Sequence, residues 1–375
     1  MLYTHSNMRL TRFEYTDSHW TLEPLEMGPT TLLVGNNTTG KSRTLAMIDL
    51  AARLISTSNR ELLQRGAWGI NLVKEDAESL QYYFEYGIKN TQIVIKKEDI
   101  FLGGRITGEV LLRNYAGDFP TARILNQNFK VDKQWEVFDP PSDKLTPQVR
   151  RDKKAYPFLE DIVQWAENTH SFAFANTGPL TSRSDYRIYN ANGTFPVRYA
   201  HLSRGDQQII LDNLIEVGFK NIEHLSVEER GPDDAVMIIK EKGVERKIVH
   251  DNFSQGLSRA LSLIIYLQQL IRQNTFPTLL IDDLCEGMDF DRARKLGKLV
   301  FEKCAKNNIQ LIATSNDNFL MDVVDLDSLM ILQREGSIVK PINRSNHPKL
   351  FEEFELTGFS NFDLYSSSFL AQHNL

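Results

Sequence analysis

Residues 35–42 read Gly-Asn-Asn-Thr-Thr-Gly-Lys-Ser and match G-x-x-x-x-G-K-[ST] in full. A continuous apolar run, residues 31–34, stands directly before them. Directly after, from Lys41, the apolar period becomes helical, with Leu45, Ile48, Ala51 and Ile55 along one face. Strand, glycine-bracketed loop and helix in that order leave few choices of fold. The apolar run has no polar face, so it predicts a strand buried on both sides, as in a parallel sheet. The loop has its own chemistry. Successive N–H groups must point inward around an anion, and glycines allow that close backbone approach. The helix start adds a partial positive charge. On this reading Gly35, Asn36, Asn37, Thr38, Thr39, Gly40, Lys41 and Ser42 bind the phosphates of a nucleotide. Lys41 reaches the β- and γ-phosphates, and Ser42 ligates Mg²⁺. The plain alternative, a chance glycine turn before a helix, requires three elements to coincide.

Residues 279–283, Leu-Leu-Ile-Asp-Asp, form an apolar run that ends in two acids. Around it the pattern alternates. Residues 257–272 are helical, with Leu257, Ala260, Leu261, Ile264, Leu267, Leu270 and Ile271 apolar; 291–306 are helical, and 309–313 are strand-like. Such alternation predicts a parallel sheet with crossover helices. An acid at the strand end can hold Mg²⁺ opposite a phosphate loop, which assigns Asp282 to the metal. Asp283 then polarises the attacking water as general base. The plain alternative is a pair of acids capping the next helix.

From these residues a resemblance follows. The run Asp-Asp-Leu-Cys-Glu-Gly-Met-Asp at 282–289 resembles the ABC-type ATPase pattern D-E-P-T-A-G-L-D position by position. Phe253-Ser254-Gln255-Gly256-Leu257 looks like the signature L-S-G-G-Q, and 313–317 follows a strand where that family has its switch histidine. Two early strands and then Val-Gly-Asn-Asn-Thr-Thr-Gly-Lys-Ser resemble the RecF, SMC and OLD-like branch. Gly178, Pro179 and Arg183 are similar to a G-P-x-R-like segment of compact ATPases there. The resemblance covers residues 5–57 and 250–335 well and 58–249 poorly. It implies an α/β fold: a P-loop NTPase head of ABC type, mostly parallel sheet with flanking helices, plus an N-terminal antiparallel β part and an inserted α+β region. The expected divisions are 1–90, 91–250 (the inserted lid region), 251–345 and a Phe-rich tail at 346–375. It also implies ATP and Mg²⁺ as cofactors, and a homodimer or higher even-numbered oligomer. Ser254 and Gly256 would face the γ-phosphate held by the other subunit; as a structural alternative, Ser254 simply caps a helix. Three departures stand out. Asp283 replaces Glu, Asn316 replaces His, and the signature has one glycine. Asn can hydrogen-bond a phosphate but carries no positive charge. These changes imply slow hydrolysis or a base role shared with Glu286. Gln127 is the candidate for the Q-loop. Compact relatives imply a separate nuclease or toxin effector in two-gene anti-phage defence, with DNA repair as the other field. The rival reading is a nucleotide-dependent switch without useful turnover.

The remaining features narrow the classes. A length of 375 residues suits two to three domains, and a net charge of −6 excludes a globally basic nucleic-acid coat. Two cysteines, Cys285 and Cys304, give neither a disulfide framework nor a zinc cluster and suit small core positions in a reducing cytosol. No apolar h-region and no run of 18 apolar residues is present, so a cytoplasmic protein without membrane contact is expected. No sustained heptads mean no long coiled-coil arms. Asp289-Phe290-Asp291 mimics a metal-binding D-x-D, but Asp291 reads better as a helix N-cap, and no nuclease is expected in this chain. Residues 139–154, with three prolines, are the candidate linker or exposed loop. Their Arg150-Arg151-Asp152-Lys153-Lys154 run is open to nucleic acid or an acidic partner, or is a solvated loop. Strands are expected at 8–15, 20–27, 80–88 and 91–102, a helix at 156–168, and a hairpin over 236–249 turning at Lys242-Gly243. His170 reads as structural. The tail phenylalanines 351, 354, 359, 362 and 369 either dock a partner or pack on the chain itself.

Overall fold

The computed structural model describes residues 8–74, 77–104, 108–114, 121–126, 134–173, 188–190, 195–231, 234–273, 275–366 and 369–373. Gln127, Gly178, Pro179 and Arg183 lie outside the described residues. The chain divides into two compact units: Met1–Gly28, Asn36–Thr169 and Leu332–Asn346 form one; Pro29–Gly35, His170–Ile331 and His347–Leu375 form the other.

The second unit is built on a parallel sheet. Thr278–Ile281 pairs with Gln310–Thr314, which pairs with Thr30–Val34, which pairs in turn with the strand starting at Leu329. The registers Ile281↔Ala313 and Ala313↔Leu32 bring the carboxyl ends of these strands to one edge. Leu32, Leu33, Val34, Leu279, Leu280, Ile281, Leu311, Ile312 and Ala313 are all at 0% exposure, so the continuous apolar runs are strands buried on both faces. Thr169–Ala173 and Ile188–Asn190 extend the sheet. The helices Gln255–Gln273 and Phe290–Lys306 turn apolar faces inward. The cap of the latter is Asp289, whose carboxylate accepts from the Arg292 N–H at 3.2 Å. This corrects the sequence expectation of Asp291, which stands in the first turn. A two-residue shift, from one aspartate of the pair to the other, was enough to mislead.

A small antiparallel sheet also belongs to this unit, in the order Ile222–Gly231, Asp234–Glu241, Ile248–Val249. The expected hairpin is there, with Gly243 at φ +73 in its turn. The outer strand Ile222–Gly231 escaped the sequence reading because most of its residues are exposed and its period is weak. The Phe-rich tail folds as Pro348–Glu355, Asn361–Ser366 and Phe369–Gln372. Phe351 and Phe354 are buried, and the Asn361 amide donates to the carbonyls of Met321 (3.0 Å) and Val324 (2.8 Å). Much of the tail therefore packs on its own unit.

The first unit is an antiparallel sheet. From Thr21–Glu26 it runs through Met8–Thr16, Gly66–Lys74, Ser79–Lys89, Gln92–Gly103, Gly108–Asn114, Thr121–Asn126 and Gln134–Phe138, each pairing with the next. Ile338–Ile342 adds to Thr21–Glu26 in parallel. Ser79–Lys89 shows why this folds: Leu80, Tyr82, Phe84 and Tyr86 alternate inward. Asn90 and Thr91, both at positive φ, make the two-residue turn into Gln92–Gly103. Helices Lys41–Ser56 and Pro157–Glu167 pack together in this unit.

The segment 139–154 is not a free linker. Leu145 and Thr146 are fully buried. The Arg113 guanidinium donates to the carbonyls of Lys144 (2.7 Å) and Pro141 (2.6 Å), and the Gln148 amide donates to the Thr57 carbonyl at 2.6 Å. Prolines here shape a packed crossing, which composition alone could not separate from a linker. Its basic run is largely answered by acids. Arg151 and Lys153 meet Glu160 at 3.1 and 3.2 Å, and Arg150 meets Glu136 at 3.3 Å. Burial alone would raise the Glu160 carboxyl, but the Lys153 hydrogen bond and the Arg151 charge outweigh it and hold it below its ordinary value. A depressed carboxylate adds stability that is present above its unfolded value and is lost as pH falls through its folded one. The stability gap between wild type and Glu160→Gln is therefore expected to be constant near neutrality and to shrink in acid, below about pH 4.3. Urea midpoints of both proteins across that range check this; a gap that widens in acid contradicts it.

Candidate nucleotide site

The predicted phosphate loop lies between the strand Thr30–Val34 and the helix Lys41–Ser56. Gly35 closes the strand side, and the loop continues from Asn36. Its curvature is held by donors converging on one carbonyl. The Asn36 oxygen accepts from Thr39 N–H (3.3 Å), Thr39 Oγ1 (2.9 Å) and Lys41 Nζ (3.2 Å). Arg334 Nη1 donates to the Thr38 carbonyl at 3.1 Å. Turning these carbonyls toward protein donors suits a loop whose N–H groups serve an anion. Thr38 sits at φ +71 and Gly40 at φ +104. Gly40 is the N-cap, brings no capping side chain, and the first helical turn holds no acid. The positive end of the helix thus has no carboxylate of its own nearby. Lys41 is 6% exposed, while Asn36, Asn37, Thr38 and Ser42 are exposed.

Gly40 also rests on Trp20. A Cβ there would stand 3.0 Å from the indole Cζ2, on a backbone that disfavours L side chains. Gly40→Ala is expected to cost about 1–2 kcal/mol of stability and to weaken nucleotide binding. Thermal unfolding and ATP titration check both, and an unchanged melting temperature contradicts the strain argument.

The acid half lies in the second unit. Asp282 follows directly on Thr278–Ile281, and its N–H donates to the Phe172 carbonyl at 3.4 Å. Thr314 Oγ1 donates to Asp282 Oδ1 at 2.7 Å and accepts from the Asp283 N–H at 2.8 Å. The Leu284 N–H bonds the Thr314 carbonyl at 2.9 Å. Asp283 takes φ +51, Cys285 φ +72 and Gly287 φ +73, so 283–287 is a tight turn. Glu286 is exposed; its carbonyl accepts from Arg259 of the helix Gln255–Gln273, and its carboxylate lies 3.8 Å from that guanidinium. Ser254 precedes this helix and its Oγ accepts from the Leu257 N–H at 3.3 Å, so it caps the helix, and Gly256 lies in the first turn. Asn316 is exposed, between Ser315, whose hydroxyl donates to the Leu284 carbonyl at 3.3 Å, and Asp317, which caps Asn318–Met321. Cys285 and Cys304 are buried, which pushes both thiols up and away from nucleophilic use.

Within the second unit, the sheet edge gathers Asp282, Asp283, Thr314 and the entry to the loop at Gly35. The Ser315 N–H bonds the Leu33 carbonyl at 3.3 Å there. Sequence reasoning missed Thr314, Arg259, Trp20 and Arg334. Only Thr314 had a signal, as a hydroxyl directly after an apolar run. The Asp282 carboxylate is an oxygen donor of the kind taken by Mg²⁺, an ion that binds one or two protein oxygens and completes its shell with phosphates and water.

The family model AAA_21, described as "AAA domain, putative AbiEii toxin, Type IV TA system", matches residues 31–322. No curated protein sequence matches this one. In fold the chain is similar to an SMC head solved bound to the C-winged helix domain of ScpA, at 12% identity and a TM-score of 0.51, covering 91% of this chain and 99% of that one. Two further SMC heads, from Thermotoga maritima (13% identity, TM-score 0.46, 89% and 98% covered) and Pyrococcus furiosus (11%, 0.47, 93% and 100%), lie further off. Among the described residues no helix is long and apolar enough to cross a membrane. The chain belongs to the AAA_21 family and has the P-loop NTPase fold of an SMC head.

Proposed function

We propose that this protein binds ATP with Mg²⁺, dimerises around it and hydrolyses it slowly, and that this cycle controls a separate effector protein. The observation that carries the reading is the loop 35–42, with three donors drawn onto the Asn36 carbonyl beneath a helix start that has no acid of its own. Loop N–H groups and Lys41 bind the phosphates. Ser42 and Asp282 hold the metal, which when bound neutralises phosphate charge. Asp283 takes the proton of the attacking water, and being one methylene shorter than Glu it reaches less far. Glu286 and Asn316 are proposed to assist that step. Ser254 and Gly256, at the start of a 19-residue helix, offer N–H groups to the γ-phosphate held by a second copy.

The effector follows by likeness. The family description, "AAA domain, putative AbiEii toxin, Type IV TA system", places the domain itself in a toxin system, and one SMC head was solved with a partner domain. We therefore assign the chain to defence against phage, with a nuclease or toxin as its partner; DNA repair is the other field. The competing reading, a switch that holds ATP without turnover, draws on Asp283 and Asn316. Phosphate release and particle mass, with and without ATP and Mg²⁺, separate the two. Turnover lost in Asp283→Asn, with an ATP-dependent dimer lost in Ser254→Arg, supports the proposal. A Lys41-dependent ATP complex without any turnover supports the switch. A Ser254→Arg protein that dimerises and hydrolyses normally overturns the dimer arrangement.

A further inference from the structure

We propose that Thr314 is the positioning residue of the acid pair: its single hydroxyl orients the metal-binding carboxylate of Asp282 and sets the turn that carries Asp283. The proposal rests on the nucleotide reading above and deepens it. The geometry leaves little freedom. Thr314 is fully buried, at the end of Gln310–Thr314, beside the strand that ends just before Asp282. The Asp283 N–H, 2.8 Å away, can only donate, so the Thr314 oxygen is its acceptor. The one hydroxyl hydrogen then goes to Asp282 Oδ1 at 2.7 Å. That length suits a hydroxyl donating to a carboxylate.

Two consequences follow. With Oδ1 committed to Thr314, the Asp282 carboxylate is locked in rotation and presents Oδ2 to a cation. The same oxygen, together with the bond from the Leu284 N–H to the Thr314 carbonyl at 2.9 Å, braces Asp283 at φ +51, a conformation a non-glycine residue holds only when its surroundings impose it. A valine of the same shape would fill the space but offer neither the hydrogen that Asp282 accepts nor the oxygen that the Asp283 N–H reaches. Outer partners of this kind typically account for 10- to 100-fold in metal affinity.

The test is a Mn²⁺ titration followed by electron paramagnetic resonance, on the full chain with ATP present, alongside metal-free ATP binding by calorimetry. For Thr314→Val, half-saturation is expected to need at least about tenfold more Mn²⁺. Metal-free ATP binding should stay within about threefold of wild type, the size of an unrelated packing change. Thr314→Ser, which keeps the hydroxyl, should stay close to wild type in both. A Thr314→Val protein with the wild-type Mn²⁺ requirement overturns the proposal. So does a Thr314→Ser protein as weak as Thr314→Val, because the methyl group would then be what matters. Should Thr314→Val not fold, Thr314→Cys replaces it; a thiol is a weak donor, and a wild-type Mn²⁺ requirement in that variant overturns the proposal equally. A wild-type protein that shows no Lys41-dependent ATP complex overturns the nucleotide reading itself, which distinguishes the two failures.

Discussion

Lys41→Ala is expected to abolish ATP turnover while leaving the protein folded. Lys41 is 6% exposed, and its Nζ lies 3.2 Å from the Asn36 carbonyl, inside the curve of the loop. A cation held there acts on phosphate charge through little water, where electrostatic effects are strong. Removing one such group from a site that stabilises developing negative charge costs about 10²–10³ in rate. Here the same group also binds the ground state, so affinity should fall as well. Stability argues the other way. Alanine is the best helix former, the loop carbonyl keeps its two bonds from Thr39, and no acid in the first turn loses a partner. Phosphate release, calorimetric ATP binding and thermal unfolding, run on both proteins, separate these effects. A variant that hydrolyses ATP within about tenfold of wild type would remove Lys41 from the mechanism. A variant that unfolds would mean the Asn36 contact carries the loop.

The loop and the acids were legible because each rests on a local pattern. Strand, loop and helix are consecutive in 31–56, and the acids end an apolar run, so neither needed knowledge of distant contacts. The antiparallel strands were legible only where side chains alternate cleanly. Ser79–Lys89 does so, with Leu80, Tyr82, Phe84 and Tyr86 inward, whereas Ile222–Gly231 is mostly exposed and carries no such signal. What stayed hidden were the side chains that act across sequence distance. Arg334 reaches the Thr38 carbonyl from 296 residues away, and Thr314 reaches Asp282 from 32. Neither pairing follows from spacing, since it depends on which strands become neighbours. The segment 139–154 failed for the converse reason. Proline and charge look the same in a solvated linker and in a crossing pinned by buried partners.

Those buried partners carry the second large prediction. Glu98 and Arg113 are both fully buried and 3.0 Å apart. Every partner of Glu98 is a donor: Tyr82 OH (2.8 Å) and the Thr146 N–H (2.8 Å) on Oε1, Thr146 Oγ1 (2.9 Å) and Arg113 on Oε2. Burial pushes the Tyr82 hydroxyl well above its usual range, so it stays a donor. Arg113 in turn holds the Pro141 and Lys144 carbonyls. Arg113→Leu leaves a buried carboxylate without its counter-charge and frees two carbonyls. Breaking a buried pair in this way costs about 3–5 kcal/mol, a large share of the stability of an ordinary domain. Glu98→Leu should cost a similar amount, because the buried guanidinium then loses the Glu98 counter-charge. The double variant should cost less than the sum of the two, since no lone charge remains. Urea unfolding of the four proteins measures this coupling, and strictly additive losses would mean the pair does not act as a unit. The damage should also be local at first. Residues 141–148 lose the guanidinium's bonds to the Pro141 and Lys144 carbonyls and keep those of Thr146 to Glu98, of the Ile95 N–H to the Ser142 carbonyl and of the Gln148 amide to the Thr57 carbonyl, just past the helix Lys41–Ser56. Proteolysis of Arg113→Leu is therefore expected to begin within 139–154, at Lys144, Arg150 or Arg151, before the rest of the chain is cut.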